Sequence, residues 1–444
     1  MRNINTYIIS LIITVAFTEG AISLVGPSES TMRTFREMLV ILLFISSFFQ
    51  SPMNNNQLVG ILKEYSKLGK YHVFSLFVVS IISMIYNTKD FVELFLFFLR
   101  VLPPVLFFWA LIKINFNVSK VLHVLKILVI IQIPAVLIKF FIIGVSESGG
   151  IGTMSIHSGS LSTIFPLFII SFFFARYLSR KNKKNIVIIF LYLMLGLIGG
   201  KRALIVYTPL LLLFIVIIYR KAFSVKFKSA FVKQIVGLCL LGFLCFYFIA
   251  RVNPNLNPEE KIGGSFDVEY MMDVSEKYNS FEGELGFSRS DAPEVLYNFL
   301  TKNKSINALL LGMGPGDIIQ SSLLNNKYPG VENDRQLLMY KYGLGYGLRV
   351  GVLWTAIQVG ILGALIYGLF FYKIAFTMFK ISKNSHNIIT KEYALGLTGM
   401  GFVLLIDYFT YSSTFFYSGV ISNSFFLLTA IVLKRSSDER RGLL

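Results

Sequence analysis

Charge is scarce in this chain. Only 15% of its 444 residues are Asp, Glu, Lys or Arg, against about 25% in a soluble domain. Hydrophobic residues make up 55%, and Phe alone numbers 43. A water-soluble fold has no means of hiding that much apolar surface, so lipid is the solvent for most of the chain. Cysteine is nearly absent. Cys239 and Cys245 are the two present, both inside one apolar run, which excludes a disulfide framework and a thiolate metal site. The four histidines have no metal-ligand spacing. There is no phosphate-binding Gly-rich Lys motif, no nucleophilic-serine elbow, no internal repeat and no low-complexity tract. The expected metal and cofactor content is therefore none.

Acid is scarcer than base, 24 residues against 42, for a formal net charge of +18. In a soluble protein that balance points to nucleic acid. Here the basic residues lie between apolar runs and form no contiguous face, so no nucleic-acid partner is expected. They read as determinants of membrane topology.

A spanning helix needs about 20 mostly apolar residues. Twelve segments qualify: 7–25, 34–50, 71–87, 91–112, 124–144, 159–178, 186–200, 202–219, 234–251, 347–372, 394–412 and 417–433. The first resembles a signal peptide, with Arg2 ahead of an apolar run, but more spans follow, so it is expected to remain as a helix. Every second connection is basic. These carry Lys63, Lys67 and Lys70; Lys113 and Lys120; Arg180, Lys181, Lys183 and Lys184; Arg220, Lys221, Lys226 and Lys228; Lys373, Lys380 and Lys383; and, in the tail, Lys434, Arg435, Arg440 and Arg441. That side is cytoplasmic by the positive-inside rule, and both termini face it. The expected fold is an all-α polytopic membrane protein of about 12 transmembrane helices. Helices 1–9 fill residues 1–251, one large external loop fills 252–346, and helices 10–12 with a cytoplasmic tail fill 347–444.

The loop holds more than half of the chain's carboxylates, with 13 acidic and 10 basic residues from Arg251 to Arg349. It is too long to be a simple connector. Its first part, 252–290, has the Asn, Pro, Glu, Gly and Ser content of a disordered segment. The second part reads as folded: Asp291-Ala-Pro-Glu294 resembles a capping box, Gly312 and Gly314-Pro315-Gly316 make a tight passage, and Asn333 or Asp334 caps a helix starting near Arg335.

Charges in or beside the membrane cost several kcal/mol unless paired or hydrated. In this topology Arg33, Arg36, Arg100, Lys139, Lys201, Arg202, Arg251, Arg335, Lys341 and Arg349 lie in the outer half or at the outer surface. Such a set implies an anionic ligand there. Lys201 and Arg202 follow Gly199 and Gly200 at the start of a helix, where free N–H groups favour anions and a guanidinium grips phosphate in two places. The bland reading of the pair is interfacial snorkelling. Glu332 and Asp334 offer a general base near the membrane surface, or else a solvated residue and a helix cap. Glu19 and Asp407 read as buried packing pairs or cavity residues. His157 is the external histidine, in the Gly- and Ser-rich loop Gly149–Ser160, while His72, His123 and His386 read as cytoplasmic or interfacial.

Three stretches together resemble the O-antigen polymerase and ligase group of bacterial inner-membrane glycosyltransferases. Gly196–Ile215, GLIGGKRALIVYTPLLLLFI, is similar to the family's small residue–Arg–apolar helix pattern. Leu310–Asp317, LLGMGPGD, is similar to its glycine passage late in the loop. Gln336–Tyr372, with Gln358-Val-Gly-Ile-Leu-Gly363, is similar to its later apolar helix. Ligase-type members place a His between the last two, where this chain has Val331-Glu-Asn-Asp-Arg-Gln336, so the resemblance favours the polymerase. It implies a GT-C-like fold and a polyprenyl-diphosphate-linked oligosaccharide as substrate. Membrane lipid surrounds the protein, and a chain-length regulator is a partner class of the family. The implied diphosphate site comprises Lys201, Arg202, Arg335, Arg349 and His157, and the implied catalytic residues are Glu332, Asp334 and Arg202. The alternatives are a ligase and, in another class, a flippase for the same lipids.

Overall fold

The computed structural model describes residues 2–49, 55–143, 149–156, 159–199, 202–224, 236–237, 240, 242–244, 246–248, 250–251, 256–261, 263–279, 291–302, 306–319, 337, 342, 344, 350–412 and 414–440. Among these every regular element is helical and there is no strand. The first nine helices are α1 (Arg2–Ser23), α2 (Glu29–Phe49), α3 (Asn55–Tyr86), α4 (Phe91–Val101), α5 (Pro103–Lys113), α6 (Val118–Ile143), α7 (Leu161–Arg180), α8 (Lys184–Ile198) and α9 (Arg202–Phe223). Described positions between 236 and 251 are helical. Among the described residues of 252–346 there are three shorter helices, α10 (Val268–Asn279), α11 (Ala292–Lys302) and α12 (Ile306–Leu311). The C-terminal part holds α13 (Gly351–Asn384), α14 (Ile388–Ile406) with a π turn at Asp407–Tyr411, α15 (Thr414–Tyr417) and α16 (Gly419–Arg440).

Among the described residues six helices are long and apolar enough to cross a membrane, and a seventh crossing results if α4 and α5 are one bent span. This is an all-helical protein with several membrane-spanning segments. The other expected segments fall on helices that are shorter, more polar, or partly outside the described residues. Pro103 and Pro104 open α5 and separate it from α4 by a 55° bend, since proline suits a first turn and not an interior. The stretch expected to be disordered, 252–290, contains α10. The Asp267 carboxylate accepts from Tyr270 N–H at that helix's start, and Asn257 ties the 250–261 turn by donating to Lys261 O at 2.9 Å. Local side-chain caps thus order a segment whose composition is polar.

Side-chain and main-chain contacts sort the helix ends into two faces. One gathers the C-terminus of α1 and the N-termini of α2, α7, α9, α13 and α16; we term it the loop face. Here Ala21 N–H donates to Thr153 O, Gly351 N–H to Ser412 O, and Tyr207 meets Thr410 at 3.1 Å. The opposite face joins Asn5 to Asn115 O, Arg180 to Glu392 and Glu439 to the Ser385–Asn387 turn. Five lysines on this second face each lie over an aromatic ring: Lys113 over Phe48, Lys181 over Tyr177, Lys380 over Phe376, Lys391 over Phe223 and Lys434 over Phe116.

Candidate functional site

The loop reaches the helices through glycine. Gly312, Gly314 and Gly316 all have positive φ, of 74°, 110° and 81°, a region that glycine enters without steric cost. Each also has no room for a side chain. A methyl on Gly312 would lie 2.5 Å from the Gln358 carbonyl carbon, while Gly314 is crossed by the Lys89 stem and Gly316 abuts the Glu93 main chain. The passage therefore lies main chain to main chain on α13 and on the first turn of α4, with the Lys89 stem crossing Gly314.

It lands where α13 is broken. Val359 (φ −127°, ψ 19°) and Gly360 (φ 70°, ψ 178°) leave helical geometry inside the element. Carbonyls near such a break need other partners, because bare backbone is not tolerated at membrane depth. Met313 N–H donates to Ile357 O at 2.7 Å and Gly314 N–H to Gln358 O at 3.0 Å. Ser83 of α3 donates to Leu311 O at 2.5 Å and Asn87 to Gly312 O at 3.1 Å. The Gln358 side chain, fully buried, accepts from Gly316 N–H at 3.1 Å and donates to Trp354 O at 3.1 Å. The N–H groups of Gly312, Met313, Gly314, Gly316 and Asp317 are thus all committed inside the protein. This glycine passage is a main-chain clasp and no phosphate cradle.

Asp317 closes the clasp. Its side chain is 0% exposed, with one oxygen paired to Lys89 Nζ and the other accepting from the Tyr342 hydroxyl. Tyr342 packs edge-on against Phe299 of α11, ring centroids 5.3 Å apart.

A second corner of the loop face holds the start of α9, which Arg202 opens. One turn on, Tyr207 stacks edge-on with Tyr411 of the π turn at 5.8 Å. That turn ends at Ser412, whose carbonyl receives Gly351 N–H at the start of α13. Asp407, 1% exposed, accepts from Ser412 Oγ at 2.7 Å and holds the turn shut. The α9 and α13 N-termini are therefore joined through one turn. Gly199 and Gly150 approach closely, a methyl on Gly150 falling 2.7 Å from Gly199 Cα.

A third group is ionic. Arg36 is 4% exposed, pairs with Glu19 and lies 3.8 Å from Glu37; Arg33 lies 3.8 Å from Glu19. Arg100 acts electrostatically on both Arg33 and Glu37. The Arg36 guanidinium occupies the space a side chain on Gly419 would need. Arg33 and Arg36, expected to face an anionic ligand, are instead partnered by carboxylates from α1 and α2. Arg251 is spoken for as well, donating to Gly264 O at 3.0 Å. Lys139 reaches Ser155 O at 3.5 Å.

Of the residues expected to do chemistry, Glu332, Asp334, Arg335, Arg349, Lys201 and His157 lie outside the described residues, as do Lys341, Cys239 and Cys245. For Arg202 the main chain alone is described. In sequence Arg349 directly precedes Val350, the N-cap of α13, and Lys201 directly precedes α9. Glu19 and Asp407 are buried and partnered. Sequence reasoning passed over Lys89, Tyr342, Ser83 and Asn87. Lys89 carried a signal, a lysine in a turn on the lysine-poor side; a carboxylate 228 positions away gave no local hint of the pairing. Among the described residues no group of three or more His, Cys, Asp and Glu has the arrangement of a metal site. No family model matches the chain, and no curated protein matches it.

Proposed function

We propose that this chain is a glycosyltransferase of the O-antigen polymerase type, joining oligosaccharide repeat units carried on undecaprenyl diphosphate at the outer face of a bacterial inner membrane. The observation that carries the reading is the clasp. Two of the stretches behind the family resemblance, Leu310–Asp317 and Gln358–Gly363, pack main chain on main chain, at the end of the bundle where the helices opened by Arg202 and by the residue after Arg349 are joined. In this reading the chain crosses twelve times in a GT-C-like arrangement, with 252–346 external and both termini cytoplasmic. The five lysines seated over rings on the face opposite the loop support that orientation, as snorkelling cations of an inner boundary do.

A sugar hydroxyl of one unit attacks the anomeric carbon of another chain. The bond from that carbon to the diphosphate oxygen breaks, and undecaprenyl diphosphate leaves. Glu332 or Asp334 takes the hydroxyl proton. Lys201, Arg202, Arg335, Arg349 and His157 stabilise the charge growing on the diphosphate, the largest usual contribution to such a step. A chain-length regulator is the protein partner this chemistry admits.

Three observations favour a second class. The 55° break between α4 and α5, the break in α13 and the buried ion pairs of α1 and α2 are features that transporters use, here a flippase for the same lipids. Purified protein incubated with undecaprenyl-diphosphate repeat units separates the two: a ladder of longer saccharides supports the polymerase, and lipid translocation across a vesicle without any ladder supports the flippase. Transfer of finished polymer to a lipid acceptor would identify a ligase.

A further inference from the structure

We propose that the ends of α7 and α9 and the start of α14 form a binding site for the headgroup of an anionic phospholipid, on the face opposite the loop. The inference does not depend on which reading of the function is right. Contacts bring the three ends into one corner. Arg180, the last residue of α7, pairs with Glu392 of α14 at 2.6 Å. Lys391 of α14 lies over the Phe223 ring at the end of α9, 4.9 Å from its centroid. Deeper in the bundle Phe172 of α7 meets Tyr393, and Ile215 of α9 fills the space a side chain on Gly399 would need. The corner holds Arg176, Arg180 and Lys181 from α7, Lys221 from α9, and Lys391, all exposed or half-buried. Among the described residues of these ends Glu392 is the one carboxylate, and Arg180 already pairs with it. Positive charge is therefore left in excess.

Helix electrostatics accounts for part of this set. Arg180, Lys181 and Lys221 sit at helix C-termini, whose partial negative charge favours cations. Lys391 is near the positive end of α14, where the dipole disfavours it, and the Asn387 side chain there already accepts from Ile389 and Thr390 N–H. Arg176 lies a full turn inside α7, on one stripe with Phe172 and Arg180, and so on the side that meets α14. An anion between Arg176 and Lys391 offsets both misplacements, and the Arg176 guanidinium can grip two phosphate oxygens. What lies below the charges makes the occupant a lipid. Lys221 ends a stripe of α9 formed by Leu210, Leu213 and Ile217, which are 44%, 47% and 45% exposed. An acyl chain lying on that stripe brings its phosphate to Lys221. The stacked Tyr219 and Phe223 rings, 4.5 Å apart, mark the headgroup level, where aromatic rings collect. Basic corners between spanning helices hold anionic headgroups, and the excess charge here suits a lipid with two phosphates, such as cardiolipin.

The test uses full-length protein in a neutral detergent, titrated with cardiolipin or with phosphatidylcholine and read by native mass spectrometry. Wild type is expected to bind cardiolipin more tightly than phosphatidylcholine by about tenfold or more. The double variant Arg176→Gln, Lys391→Gln is expected to weaken cardiolipin binding about 25-fold, at about fivefold for each charge removed. The control Lys113→Gln, Lys120→Gln removes two lysines of the same face on α5 and α6 and is expected to stay within about twofold of wild type. Equal losses in the two double variants would show a general attraction of the basic face and overturn the site, as would equal binding of the two lipids by wild type. Competition at constant ionic strength separates other occupants. Release of bound cardiolipin by equimolar inorganic pyrophosphate would assign the corner to a soluble phosphate, and release by a poly-glutamate peptide to an acidic protein; either result overturns the lipid. Should the double variant fail to fold, Lys391→Gln alone, which keeps the Arg180–Glu392 pair, is expected to weaken cardiolipin binding about fivefold, and unchanged binding would refute the proposal.

Discussion

Gly312 and Gly360 face each other across the junction of loop and bundle, so closely that a methyl on Gly312 would sit 2.6 Å from the Gly360 nitrogen. Both have positive φ. Gly360→Ala adds backbone strain and a collision with the Leu310 carbonyl, which together are expected to cost more than about 2 kcal/mol. Thermal unfolding in detergent measures it. Gly242→Ala is the control: it is helical and has nothing within 4 Å, so it is expected to be neutral or to stabilise by up to about 1 kcal/mol.

Arg36 and Glu19 make the second prediction. Arg36→Met leaves the Glu19 carboxylate buried with Arg33 as its remaining arginine, and is expected to destabilise by about 3–5 kcal/mol. The double variant Arg36→Met, Glu19→Leu is expected to recover a large part of that loss. A double-mutant cycle of unfolding midpoints checks it, and simple additivity would show the pair to be uncoupled.

Glu439, beyond the apolar part of α16, carries a pH dependence. Burial acts to raise its pKa, but the Ser385 hydroxyl and the Asn387 and His386 N–H groups outweigh burial and hold it below its ordinary value. A carboxylate depressed on folding contributes stability above its unfolded pKa of about 4.3, and that stability is lost as pH falls through the folded value. The Tm difference between wild type and Glu439→Gln is therefore expected to be present at pH 6 and to shrink as pH falls below the ordinary carboxylate range. A difference that stays constant with pH would refute the assignment.

Arg202 is the catalytic wager. Arg202→Ala is expected to lower chain elongation by about 10²–10³-fold while the protein stays in the membrane. Arg202→Lys keeps the charge and loses the fork, so it is expected to recover activity only in part. Gel analysis of surface polysaccharide from complemented deletion cells reads both; normal long-chain polymer from the Ala variant would remove Arg202 from the mechanism.

The long apolar runs made the helical membrane class legible from composition alone, and four of the five lysines that sit over rings, Lys113, Lys181, Lys380 and Lys434, belong to the basic connections and tail. The glycine passage was legible as non-helical because three glycines and a proline crowd five positions. Its destination was not. Met313 and Ile357 are 44 positions apart, and no local pattern encodes a main-chain bond at that distance. Arg33 and Arg36 show the same limit from the side of charge: sequence gives sign and approximate depth, while the carboxylate that neutralises Arg36 comes from the preceding helix. Composition also misjudged α10, because a polar segment orders readily when an Asp caps its first turn.

The break in α13 has a consequence for biosynthesis. The groups that engage the Ile357 and Gln358 carbonyls are Met313, Gly314 and Ser83, and all of them leave the ribosome before α13 does. The discontinuous helix thus enters a bilayer in which the donors to its Ile357 and Gln358 carbonyls are already translated, and these carbonyls need wait for no later segment. A circular permutant that placed residues 306–319 after α13 would reverse that order. It would strand the broken helix in the insertion machinery with bare backbone facing lipid.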